Sequence, residues 1–148
     1  MRYLDDFAPG EVLALGSFTF TEQEIIDFAL QFDPQPFHID PAAAAKSIYG
    51  GIIASGWHTC SKMMRLVTDG LLNHSVSMGS PGLDEVRWLK PVRPGDILSM
   101  RYVVDDVRPS RSKVDRGIIV SLWQLHNQHG ELVCEIKTKG MFGRRVLV

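Results

Sequence analysis

Apolar residues at helical spacing mark the first predicted element. Four of them lie on one helix face, at i, i+3, i+4 and i+7: Ile25, Phe28, Ala29 and Phe32. Thr21 and Glu24 have the Thr-x-x-Glu spacing of a capping box, which places the helix start at Thr21. Pro34 disfavours helical geometry at the residue before it, so we expect the helix to end at Phe32 or Asp33.

Two further helices are predicted in the first half of the chain. Asp40 is an N-cap acceptor and Pro41 suits the first helical position, so a short helix begins directly after His38. A third helix begins at about Ser55 and carries a wide apolar stripe: Trp57, Cys60, Met63, Met64, Val67 and Leu71. A stripe of this width predicts that the third helix is the most buried one.

The second half of the chain alternates apolar and polar residues with the period of strands. Strands are predicted over residues 83–89, 98–104, 118–127 and 132–139, and the turn Asn-Gln-His-Gly at 127–130 joins the last two as a hairpin. Helices gathered in the first half and hairpin-linked strands in the second predict an α+β fold. The simplest packing is an antiparallel sheet that wraps one central helix.

Length and composition fit one soluble domain. The chain has 148 residues and a mass of 16.6 kDa, so residues 1–148 are predicted to form a single domain. Apolar residues make up 45% and charged residues 22%, and 16 basic against 17 acidic side chains leave a net charge of −1. Such a balance favours neither nucleic acid nor an acidic membrane as a partner.

Few residues suit a disulfide, a metal ion or a cofactor. Cys60 and Cys134 have no CxxC or ligand spacing, which indicates free thiols in a reducing compartment. His126 and His129 lack an apparent third ligand, so no metal is expected. No dinucleotide fingerprint is present, so no nicotinamide or flavin is expected either. Neither a signal peptide nor a membrane-spanning stretch is recognisable, and we expect a cytoplasmic protein.

The segment DPQPFHIDP at residues 33–41 contains three prolines and two titratable groups of interest, Asp33 and His38. The prolines restrict the backbone, so little entropy is lost when both side chains are held in place. A carboxylate beside an imidazole can handle the protons of one water molecule, because histidine titrates near neutral pH. An ordinary loop after a helix often contains the same residue types. The chain has no Ser or Cys in a nucleophile elbow.

This segment resembles the Asp-x-x-Pro-x-His signature of the MaoC-like dehydratases, which include (R)-specific enoyl-CoA hydratases. Three later stretches look like the same family in the same order: GGIIASGWHT (50–59), LDEVRWLKPVRPGD (83–96) and VRPSRSKVDRG (107–117). The resemblance covers the chain from about Thr21 to Met141. The commonest form of the signature has Asn in place of Gln35 and Leu in place of Phe37, changes that bear on pocket shape more than on chemistry.

The resemblance implies a hot-dog fold, in which a curved antiparallel sheet wraps a central helix. It also implies that Asp33 and His38 position the catalytic water, and that the backbone N–H of Gly56 binds the thioester carbonyl oxygen. Gly56 falls at the predicted start of the third helix, where free N–H groups and the helix dipole favour a developing negative charge. Its neighbours Ser55 and Trp57 are expected in the same substrate-binding region.

One departure from the family pattern concerns the group that orients the acid/base pair. Some enoyl-CoA hydratases of the family carry a Ser about two helical turns after the Gly, where this chain has Met64. Ser61 and Thr59 are close in sequence but are expected to face other directions on a helix. Trp57, Met63 and Met64 are candidates for the wall of an acyl tunnel, although apolar residues at helical spacing are more often core, and we expect Met63 to be core.

The resemblance implies a hydratase/dehydratase that acts at the 2,3 position of an enoyl- or 3-hydroxyacyl-CoA thioester and gives a 3R-hydroxyacyl product. Two alternatives are an acyl-CoA thioesterase and a protein that binds acyl thioesters without converting them. Coenzyme A enters only as part of the substrate. Two basic clusters suit its phosphates or plain solvated surface: Arg108, Arg111, Lys113 and Arg116, and Arg87, Lys90 and Arg93. Single hot-dog chains usually pair, so a homodimer or an assembly of dimers is expected.

Overall fold

The computed structural model describes residues 1–145, and residues 146–148 of the predicted domain lie outside the described residues. The strands are β1 (Val12–Phe18), β2 (Gly82–Trp88), β3 (Leu98–Pro109), β4 (Arg116–His126) and β5 (Leu132–Gly143). The helices are α1 (Glu22–Phe32), α2 (Pro36–Ile39), α3 (Pro41–Ala45) and α4 (Gly56–Gly70). The strands form an antiparallel sheet in the order β1-β3-β4-β5-β2. No helix within the described residues is long and apolar enough to cross a membrane.

The hydrophobic core lies between α4 and one face of the sheet. On α4, Met63 and Val67 are completely buried. Strand β3 contributes four inward residues from alternating positions, as its period predicts: Leu98, Met100, Tyr102 and Val104. Burying one large apolar side chain contributes about 1.5–3 kcal/mol, so this layer stabilises the fold strongly. One antiparallel sheet packed on a central helix confirms the predicted α+β class.

Strand β1 lies in the first half of the chain, where the sequence predicts helices and no strand. Leu13, Leu15 and Phe18 pack against the core, but Gly16 and Ser17 both stand between the last two and interrupt the two-residue period. Gly16 has a φ of +96°, and the register against β3 shifts between Ala14 and Ser17, which makes the strand bulged. The strand forms because β3 offers a hydrogen-bonding edge, which a local pattern does not reveal.

The apolar stripe of α4 is only partly buried. Met63 is core, as expected, whereas Trp57 is 58% exposed and Met64 is 41% exposed. Helix α4 has more buried residues than α1, α2 or α3, but its apolar stripe is wider than the surface that the sheet covers, so the stripe is only partly core. Cys60 and Cys134 are free thiols, with Cys134 buried and Cys60 half-buried.

Hydrogen bonds at helix ends anchor the segment between α1 and α3. The hydroxyl of Thr21 accepts the N–H of Glu24 at 3.1 Å, and the Glu24 carboxylate accepts the N–H of Thr21 at 3.2 Å, which confirms the capping box. The N–H of Asp33 bonds back to α1 at 2.8 Å. The Asp40 carboxylate accepts two N–H groups from the first turn of α3. The chain from Asp33 to Asp40 is thus held at both ends.

Candidate active site

A cavity of about 440 Å³ lies between the segment after α1, the N-terminus of α4 and the end of β2. Its wall includes four of the predicted site residues: Asp33, His38, Gly56 and Trp57. Consecutive residues at the end of β2 and after it contribute another part of the wall: Trp88, Leu89, Lys90, Pro91 and Val92. Ser55 lies behind Asp33 and is fully buried. The size of the cavity suits a small-molecule ligand.

The backbone orients His38. Its Nδ1 lies 2.6 Å from the carbonyl oxygen of Ile53. Because a carbonyl oxygen only accepts, Nδ1 carries a hydrogen, and Nε2 is the ring nitrogen that faces Asp33. Nε2 lies 3.2 Å from Oδ2 of Asp33, and the two side chains are 6% and 20% exposed. At this distance the carboxylate oxygen and Nε2 are placed to share one proton.

Asp33 is held on both of its carboxylate oxygens. Gln35 donates to Oδ1 at 2.7 Å, and the hydroxyl of Ser55 donates to Oδ2 at 2.8 Å. Burial raises the pKa of Asp33, but these hydrogen bonds and the nearby His38 together outweigh burial and keep the pKa below its usual value. Asp33 is therefore an anion at neutral pH, which suits a group that helps to take a proton from water.

The first turn of α4 borders the cavity with unused N–H groups. Within the described residues, the N–H groups of Gly56 and Trp57 have no hydrogen-bond acceptor. Such groups, together with the positive end of the helix dipole, favour a developing negative charge. A Cβ at position 56 would overlap the indole of Trp88, so this indole occupies the space that the glycine leaves.

Other residues of α4 lie on different sides of the helix. Trp57 is at the rim of the cavity, with its ring centroid 5.3 Å from that of Trp88 in an edge-to-face arrangement. Met64 borders a second cavity of about 180 Å³, formed with residues of the sheet. Thr59 is buried and lines the first cavity, so the expectation that it faces away is wrong.

Two contacts of Asp33 and His38 have no signal in the sequence pattern. Ser55, expected on the substrate side, donates its hydroxyl to Asp33, 22 residues away. The carbonyl oxygen of Ile53, 15 residues from His38, fixes the imidazole. Local periodicity does not report contacts at such separations, so both become visible only in the folded chain.

The two predicted basic clusters differ in their relation to the cavity. Lys90 lines the cavity and forms an ion pair with Glu131. In the other cluster, Arg108 and Arg116 are each paired with a nearby aspartate, at 2.6 and 2.8 Å, and they lie outside the cavity wall. Among residues 1–145, no group of three or more His, Cys, Asp or Glu side chains is placed to hold a metal ion.

Comparisons with known proteins find a matching family model, a similar sequence and similar solved structures. The family model described as MaoC like domain matches residues 6–122. The YdeM protein of Bacillus subtilis is 33% identical over 141 residues, which are 90% of this chain and 98% of that protein. The crystal structure of the MaoC-like dehydratase from Rhodospirillum rubrum is 38% identical and covers 99% of this chain and 100% of its own, with a TM-score of 0.91. R-hydratase PhaJ1 from Pseudomonas aeruginosa, 19% identical, covers 99% of this chain and 92% of its own with a TM-score of 0.71, which shows a shared fold.

Proposed function

This chain belongs to the MaoC-like dehydratase family, and we therefore propose that it adds water to, or removes water from, an acyl thioester. In the proposed reaction, water adds across the 2,3 double bond of an enoyl-CoA, or leaves a 3-hydroxyacyl-CoA. The hot-dog fold expected from the resemblance is confirmed. The observation that carries the proposal is the contact between Asp33 and His38, because hydration requires groups that remove a proton from water and return one to carbon.

The Asp33–His38 pair performs both proton transfers in this mechanism. The carboxylate and the Nε2 lone pair take a proton from water while the water oxygen bonds to C3. The electron pair of the double bond moves onto the thioester, whose carbonyl oxygen becomes an enolate. The pair then returns its proton to C2, and dehydration runs the same steps in reverse. Because coupled groups titrate as a unit, the proton is assigned to the pair and not to either residue alone.

The N-terminus of α4 supplies the proposed site for the enolate oxygen. The unused N–H of Gly56 borders the same cavity as Asp33 and His38. Donors that are already in place stabilise a developing oxyanion without reorganisation at the moment of reaction. The family resemblance supports a 3R-hydroxyacyl product. Lys90 on the cavity wall is suited to a phosphate of coenzyme A, which supports coenzyme A as the carrier.

We also propose a homodimer, or an assembly of dimers, in which β2 meets a second copy of the chain. Strand β2 stands at one end of the sheet order, and its outer edge has no strand partner within the described residues. Large apolar side chains are exposed on or next to this edge and on α4: Leu83, Trp88, Leu89, Trp57 and Met64.

The two free thiols suit a reducing compartment, which supports a location in the cytoplasm.

Loss of the conjugated enoyl absorbance on a panel of short, medium and branched 2-enoyl-CoA thioesters tests the proposed reaction. We expect the wild-type protein to be active, and D33N and H38A to be slower by about 100- to 10,000-fold, because each loses half of the acid/base pair. The matched control is D69N, which removes an exposed carboxylate of α4 that pairs with Arg65. Circular dichroism of each variant checks that its fold is retained.

Full activity of folded D33N or H38A would refute the proposed mechanism. Release of free coenzyme A thiol with the double bond intact would identify a thioesterase instead. Tight binding of the acyl-CoA panel without either reaction would identify a binding protein. D69N should match the wild type throughout.

A further inference from the structure

Ser55 is the N-cap residue of α4, yet its hydroxyl does not cap that helix. A Ser at this position usually accepts a hydrogen bond from an N–H of the first turn. Here the hydroxyl donates to Oδ2 of Asp33 at 2.8 Å, and Ser55 is 0% exposed. The hydroxyl therefore serves the carboxylate and not the helix.

The segment 53–55 orients both members of the acid/base pair. Its first residue, Ile53, accepts the Nδ1 hydrogen of His38, and its last, Ser55, donates to Asp33. The segment is itself fixed, because the N–H groups of residues 53 and 54 bond to backbone carbonyls of two cavity-lining residues at 3.2 and 2.8 Å. One short anchored stretch thus sets the imidazole and the carboxylate relative to each other.

We propose that Ser55 is the positioning residue of Asp33, a role that rests on the proposed function and that keeps Oδ2 against Nε2 of His38. Gln35 holds only Oδ1, which is not the oxygen that contacts His38. Ser55 also directly precedes Gly56, so the same residue ties the acid/base pair to the N–H groups at the start of α4. The place where water is activated and the place where the enolate oxygen lies are held at a fixed separation.

Removing the hydroxyl has two physical consequences. Gln35 is then the remaining hydrogen-bond donor to the Asp33 carboxylate. One such bond leaves the carboxylate free to rotate, so Oδ2 can turn away from His38. The ionised carboxylate also loses a hydrogen-bond donor, so the pKa of Asp33 rises. Both effects act on the chemical step more than on the binding of the acyl thioester.

S55A therefore has a defined kinetic signature. We expect kcat to fall by about ten- to a hundredfold, KM to change by less than about threefold, and the acid limb of the kcat/KM profile to move up by about one pH unit. S61A is the matched control, because it removes an exposed α4 hydroxyl that bonds a helix carbonyl. S61A should keep the wild-type profile, and S55T, which retains the hydroxyl, should restore much of kcat.

A titration without turnover separates this role from the proposed function. The ¹³C carboxyl resonance of Asp33, assigned by its loss in D33N, is followed against pH in the wild type, S55A and S61A. We expect its midpoint to rise by about one pH unit in S55A only. If S55A does not fold, S55C, whose thiol is a weaker donor, should shift the midpoint in the same direction.

An unchanged midpoint in folded S55A or S55C overturns the role of Ser55, even if the wild type hydrates enoyl thioesters. An S55A enzyme with wild-type kcat and an unmoved acid limb overturns it as well. A shifted midpoint in a protein that converts no thioester supports the contact with Asp33 and overturns the proposed function alone.

Discussion

Among single residues, His58 is a buried histidine of α4 that the proposed chemistry does not use. Its ring stacks on Phe28 and contacts Phe20, with centroids 4.3 and 4.1 Å away, and its buried Nδ1 has no hydrogen-bond partner among the described residues. Burial lowers the pKa of His58, Lys62 lowers it further, and Glu24 opposes them with a smaller effect. His58 is therefore neutral in the folded chain at a pH where the unfolded chain already binds a proton.

We expect stability to fall as the pH drops below about 6.5, the ordinary pKa of histidine. The unfolded chain takes up a proton at His58 there, while the folded chain does so only at lower pH, so protonation favours unfolding. H58F keeps an aromatic ring against Phe20 and Phe28 and removes the imidazole that binds this proton. Thermal unfolding between pH values of about 7.5 and 5 should show a larger fall in Tm for the wild type than for H58F. H74Q, which replaces an exposed histidine, should follow the wild type, and equal slopes for the wild type and H58F would contradict the prediction.

Among the elements, α1 positions the site because its C-cap residue is Asp33. T21A removes the hydroxyl from the capping box at the other end of α1. We expect the free energy of unfolding to fall by about 1 kcal/mol, measured by urea titration, because one N–H of the first turn loses its acceptor. T19A replaces an exposed threonine outside the helix and should change stability much less. A loss in T21A no larger than in T19A would show that the cap contributes nothing.

The elements also show where sequence-based prediction succeeds and fails. Helices α1 and α4 and strands β3 to β5 follow their apolar periods, because each buries one face against the core. Strand β2 forms where it is predicted by pairing with β5, although Val86 is its one half-buried residue and the rest of the strand is exposed. In β1 the two-residue period is interrupted at Gly16 and Ser17, and the strand pairs with the edge of β3. The one-turn helix α2, which contains His38, lies within a segment that its prolines predict only to be stiff.

For the molecule as a whole, the exposed edge of β2 predicts self-association. We expect light scattering to give a mass of two chains or a multiple, from a single-chain mass of 16.6 kDa. L83K places a charge on this edge and should shift the mass toward that of one chain, since burying an unpaired charge in an interface is costly. L30K, at an exposed leucine of α1, is the matched control. A single-chain mass for the wild type at every concentration tested would rule out the dimer.

The sequence alone predicts the α+β class, most of the elements and the candidate pair Asp33 and His38, because periodicity and motif spacing are local properties of the chain. Only the folded chain reveals that Ser55 bonds Asp33, that Ile53 fixes the tautomer of His38, and that Trp88 covers Gly56. The first two contacts join residues 22 and 15 positions apart. They depend on how the segment after α1 packs against the start of α4, and no local spacing records that packing.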